Sequence, residues 1–170
     1  MGATARIDKV TRLRQKAGDR WRFPERTLHV VDIENLAGGP MLSLVQVNEL
    51  QGWYMARLGF GADDQVVMAS SHLCFLNAAL GWPHARYRVR SGPNGADHEL
   101  LDVLEHEDVA ARFSRVVIGS GDWRFSRAAA SLAERGVRVT VVSRRGSLAA
   151  VLARAAQDVV YLDLPRAAAA

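Results

Sequence analysis

The chain has 170 residues, 49% of them hydrophobic, which is enough for one well-packed core and short for two. Its 22 basic and 18 acidic residues give a net charge of +4, compatible with an anionic partner. One cysteine, Cys74, excludes an intrachain disulfide and a cysteine-rich zinc site; with no leader-like apolar start and no long apolar run, a cytoplasmic protein that avoids the membrane is expected.

Residues 1–26 carry eight basic side chains against three acidic ones and are read as a basic arm able to hold nucleic acid electrostatically. A domain is expected over 27–164, and the alanine-rich end, 165–170, as a frayed tail. Past Phe23-Pro24, β-branched runs predict strands at Leu28–Val31, Gln65–Met68, Ala85–Val89, Arg115–Ile118 and Val137–Val142, with a sixth candidate at Val159–Leu162. Between them, helical patterns run over Met41–Leu58, Ser70–Leu80 and Phe125–Arg135. Each stops before a glycine, Gly59, Gly81 or Gly136, suited to a left-handed C-cap. The alternation predicts a three-layer α/β/α sandwich around a mainly parallel sheet of five or six strands. Right-handed crossovers bring the residues after every strand to one rim, so chemistry is sought there.

Three strand-to-helix junctions present an aspartate at that rim: Asp32 in Val31-Asp32-Ile33-Glu34-Asn35, Asp97 in Asn94-Gly95-Ala96-Asp97, and Asp122 in Gly119-Ser120-Gly121-Asp122. Singly, each also fits a structural role: Asp97 in a capping box with Asn94, Asp122 as a helix cap, Asp32 at a turn. Together they repel, by roughly 1 kcal/mol per pair at 4 Å in water and about 4 kcal/mol at an effective dielectric of 20. A cluster of this kind takes up protons or a cation. Hard oxygen ligands suit Mg²⁺ or Mn²⁺, which can activate water and neutralise charge at a phosphodiester.

The same segments resemble the NYN domain, a branch of the PIN-like nucleases: Val-Val-Asp32-Ile-Glu34-Asn35-Leu, Gly95-Ala96-Asp97, Ile118-Gly119-Ser120-Gly121-Asp122, and the closing Ala156-Gln157-Asp158-Val159-Val160. The resemblance runs from about Leu28 to Leu164. It implies a PIN-like sandwich, metal-dependent hydrolysis and RNA as substrate, single-stranded RNA being the expected form. It assigns metal ligation to Asp32, Asp97 and Asp122, and gives Asn35 and Ser120 the shaping of the catalytic site. Where the family commonly has a further acid, this chain has Arg124, which makes a one-ion or ion-free centre credible.

Asp102 is a further candidate ligand, but five residues beyond Asp97 turns it about 140° around a helix whose buried stripe is Leu100, Leu101 and Leu104. Glu34 points away from Asp32 unless the chain turns. Arg124 and Arg127 are candidate phosphate contacts, a pairing of arginine with Asp122 being the structural alternative. Arg86, Arg88 and Arg90 alternate, which predicts an edge strand with Arg90 nearest the rim; Arg144 and Arg145 follow the fifth strand as further nucleic-acid contacts. Trp123 could stack on a base, whereas Trp53 fits a helix's apolar stripe. His98 and His106 are expected on solvated helix positions. No nucleophile elbow surrounds Ser120 and no Walker lysine follows Gly121.

The leading expectation is an endoribonuclease. Its alternatives are a catalytically weakened NYN module that binds RNA or protein, and a doubly wound receiver or small-molecule domain with an acidic, Mg²⁺-binding rim. A second copy of the chain is a candidate partner.

Overall fold

A computed structural model describes residues 26–162. Apart from Arg26, the basic arm lies outside the described residues, as does the tail. Six strands, β1 (Thr27–Asp32), β2 (Gln65–Ser70), β3 (Arg86–Val89), β4 (Arg115–Gly119), β5 (Arg138–Ser143) and β6 (Asp158–Tyr161), form one sheet in the order β3-β2-β1-β4-β5-β6. Every neighbouring pair is parallel. The runs that predict the four inner strands are largely buried on both faces, as a parallel sheet covered by helices requires, and the edge strands β3 and β6 are half-buried.

Helices α1 (Ile33–Ala37), α2 (Leu44–Leu58) and α3 (His72–Gly81) cover one face. There Val31, Met68, Val117 and Val142 of the sheet meet Leu36, Val47, Leu50, Tyr54, Cys74 and Trp82. The other face carries α4 (Gly95–His106), α5 (Val109–Arg112), α6 (Ser126–Glu134) and α7 (Ala150–Ala155). Val30, Ala69, Ile118 and Val141 pack there against Leu100, Val103, Phe125, Leu132 and Leu152. The chain changes faces at the connection from β3 to β4, and the strand order reverses direction between β1 and β4. That crevice is the topological switch point, where ligands bind in open parallel sheets. No helix among the described residues is long and apolar enough to cross a membrane.

Several sequence expectations need correction. The helix expected over Met41–Leu58 is α2, shorter at its start, and a helix the sequence did not suggest precedes it: α1 follows β1 directly and ends at Gly38, which is left-handed at φ 93°. Helix α2 starts at Ser43, whose capping box with Gln46 satisfies the first amides. Gly81 is not a left-handed cap but the last residue of α3, packed against the Val47 side chain where a methyl group would collide. Trp53 is half-buried and packs at the margin of the core, with the Arg57 guanidinium 5.0 Å from its ring centroid. β3 is an edge strand, as its alternating arginines predict, and α4 answers them: Arg88 lies 3.0 Å from Glu107 and 3.6 Å from Glu99.

One buried polar group belongs to the core rather than the rim. His29, fully buried in β1, stacks on Phe60 at 4.2 Å and meets the Tyr54 hydroxyl at 3.1 Å through Nδ1. Its Nε2 has no hydrogen-bond partner and stands 3.8 Å from Asp64. Burial pulls its pKa down to about 4, against the opposing pull of Asp64, and so keeps the ring neutral.

Candidate active site at the switch point

Asp32 ends β1 and caps α1, accepting the Asn35 amide on Oδ1 at 3.0 Å. Asp97 lies in the first turn of α4, which crosses the sheet so that its start overlies the end of β1. Both residues are 6% exposed. The two carboxyls lie within hydrogen-bonding reach of each other. Burial first, and then the negative charge of Asp97, pushes Asp32 up to about 7, despite the Asn35 amide that favours its anion. Asp97 is raised as well, by burial and by Asp122. Both shifts run in the direction that favours a proton on the pair at neutral pH over two bare carboxylates.

The structural alternatives for these aspartates fare unequally. Asn94, itself left-handed, makes no capping bond, so Asp97 is not part of a capping box. Its Oδ1 is buried and meets no hydrogen-bond donor. Asp122 does cap: Oδ1 accepts the Arg124 amide at 2.9 Å, opening the 3-10 turn Trp123–Phe125. Its Oδ2 meets Arg124 Nη1 at 2.8 Å, and the same nitrogen is 3.8 Å from Asp97 Oδ2. The expected three-carboxylate set is therefore, in this arrangement, a buried pair with a third acid turned onto an arginine. Among the described residues no group of three Asp, Glu, His or Cys side chains stands ready to hold a metal ion. The Asp32–Asp97 pair fits one small divalent cation, because hard carboxylate oxygens meet there and one of them is buried without a donor.

Asn35 and Ser120 act as braces. Asn35 Oδ1 accepts the Gly121 amide at 2.9 Å, joining the β1 and β4 junctions, and Ser120 Oγ accepts the Asp122 amide at 3.2 Å. Arg144 donates from Nε to the Asn35 carbonyl at 3.1 Å and packs on Gly38, so it stiffens the α1 turn. Gly121 is held from both sides, its carbonyl accepting the Ala149 amide at 2.9 Å. A methyl group there would run into the Ser147 carbonyl and lie 2.6 Å from Ser143 Oγ. Gly121→Ala is expected to cost about 1–3 kcal/mol, read as a lower urea midpoint.

Other candidates scatter along the rim. Trp123 is 59% exposed, with the Arg124 guanidinium 5.3 Å from its ring centroid. Arg127 and Arg145 are exposed, Arg145 lying over the Tyr161 ring at 4.8 Å. Arg90 points outward and pairs with Glu99 at 3.7 Å. Asp102 is not brought to the pair. The helix turns it towards Arg88 at 3.8 Å and His106 at 3.1 Å, which corrects its expected place among metal ligands. Glu34 is swung by α1 over β2, where Oε1 accepts the Ser71 amide at 2.7 Å. Sequence reasoning passed over the β2 junction, where Ser70 Oγ and Ser71 Oγ are buried without partners. The rule that strand ends meet at one rim would have flagged it. A cavity of about 460 Å³ lies at the opposite pole, where Phe60, Trp82 and His84 line the strand starts. It does not touch the carboxylates.

An all-parallel, doubly covered sheet with paired buried acids at its switch point defines a doubly wound α/β domain. The sequence pattern of the NYN domain matches residues 73–163, more than half of the chain, and the chain belongs to the NYN domain family. Asp97 and Asp122 fall inside that match, and Asp32 lies before it. No curated protein matches the chain. A solved protein of unknown function from Vibrio parahaemolyticus RIMD 2210633 is similar in fold, with a TM-score of 0.52 and 18% identity over 82% of this chain and 93% of that one.

Proposed function

We propose that the chain is a metal-dependent endoribonuclease that hydrolyses single-stranded RNA in the cytoplasm. The observation that carries this reading is the buried Asp32–Asp97 pair, with an unsatisfied Asp97 oxygen at the switch point of a nuclease-like sheet. When bound there, Mg²⁺ or Mn²⁺ supplies a Lewis acid that neutralises phosphate charge and acidifies a water. Asp32 and Asp97 would hold the cation. Asn35 fixes the spacing of the β1 and β4 junctions, which carry Asp32 and Asp122, and Ser120 supports the Asp122 turn. Arg124, Arg127, Arg90, Arg144 and Arg145 supply positive charge along the rim, and Trp123 offers an exposed face to a base.

Mn²⁺-dependent cleavage of a single-stranded RNA tests the proposal. Asp122→Asn is expected to lower the rate about 10- to 100-fold, because Asp122 orients Arg124 rather than the cation. A rate equal to that of the unsubstituted chain would remove Asp122 from the mechanism. The diversion of Asp122 onto Arg124 favours one second reading, an RNA-binding module with weakened turnover. Tight RNA binding with no metal-dependent cleavage would select it.

A further inference from the structure

Asp97 stands between two acids, so the rim holds two adjoining carboxylate pairs that share it. In the first, with Asp32, the repulsion is left uncompensated at Asp97 Oδ1, which is buried and meets no hydrogen-bond donor. In the second, with Asp122, it is relieved by Arg124, whose Nη1 lies 2.8 Å from Asp122 Oδ2 and 3.8 Å from Asp97 Oδ2. The guanidinium is well fixed: its own backbone amide binds the other Asp122 oxygen at 2.9 Å, and the Trp123 ring lies beneath it at 5.3 Å. An arginine keeps its charge throughout the pH range in which proteins fold, so the second pair has a permanent counter-ion while the first keeps an open acceptor. An open acceptor oxygen is available to a divalent ion. A tethered guanidinium with two contacts on one partner is hard to displace.

We infer that Arg124 is a built-in cation occupying the second of two cation positions, so that the centre takes one divalent ion, between Asp32 and Asp97, and the chain itself supplies the other positive charge. This rests on the cation reading above and deepens it by fixing the ion count. Arg124 is a positioning residue for Asp122 and Asp97, and its role is visible in ion binding without any reaction.

The test counts Mn²⁺ per folded chain by calorimetric titration and electron paramagnetic resonance of free Mn²⁺, on the unsubstituted chain, Arg124→Asp and Arg124→Gln. One ion is expected in the unsubstituted chain and two in Arg124→Asp. In Arg124→Gln, which retains a neutral side chain of similar length should the acidic variant misfold, the first ion is expected to bind at least tenfold tighter. Two ions in the unsubstituted chain overturn the inference, as does a single ion whose count and affinity neither substitution changes. No bound ion in the unsubstituted chain overturns the cation reading and this inference together, which separates the two failures.

Discussion

Asp32→Asn is expected to make the metal-free protein more stable at pH 8, by about 4 kcal/mol, while abolishing RNA cleavage. Asp32 goes from an ordinary 3.8 to about 7 on folding, so between those values the native state holds a proton that the unfolded chain has lost. Stability from this group is then present at low pH and falls as pH rises through the window from about 4 to 7, by about 1.4 kcal/mol per unit. Asparagine copies the protonated acid: its carbonyl accepts the Asn35 amide and its amide group can face Asp97. The substitution should leave stability unchanged near pH 3 and raise it progressively to pH 8. Urea unfolding at the two pH values checks this. Equal stability of the two proteins at pH 8 would mean that the buried charge carries no cost, and would take away the main argument for a cation at the pair.

The second large effect concerns Asp97. Mn²⁺ at a hundred times its dissociation constant should stabilise the unsubstituted chain by about 2.7 kcal/mol, since an ion that binds only the native state shifts the folding equilibrium. Asp97→Ala is expected to lose that whole increment, because the substitution removes the oxygen that has no donor and leaves Asp32 as the only acid of the pair. Cleavage should fall by on the order of a thousandfold with it, the loss of several kcal/mol of charge stabilisation. Asp102→Ala is the control. Its carboxylate answers Arg88 and His106, so the Mn²⁺ increment should survive. Thermal unfolding with and without Mn²⁺ separates the two, and an increment retained in Asp97→Ala would move the cation elsewhere.

Most of the frame was readable from the chain because β-branched runs and strand-end aspartates are local signals that topology then gathers. Asp32, Asp97 and Asp122 could be placed on one rim from the right-handed crossover alone. Helix α1 was not readable, since five residues between a strand and Gly38 are too few to show a period. The braces were equally hidden: Asn35 and Gly121 are 86 positions apart, and nothing local announces that one's carbonyl meets the other's amide. The turn of Asp122 onto Arg124 was foreseeable as a pairing two residues along. What could not be foreseen was that the same guanidinium also reaches Asp97.

His29 and Asp32 sit three residues apart on one strand and draw protons in opposite senses. Folding strips His29 of the proton it would otherwise hold between about pH 4 and 6.5, and gives Asp32 one it would otherwise release across much the same range. For these two groups the exchange is nearly balanced, so near pH 5.5 their contributions to proton uptake on folding, and to the slope of stability with pH, should almost cancel. Asp32→Asn would break the balance and lay bare the acid sensitivity of the histidine.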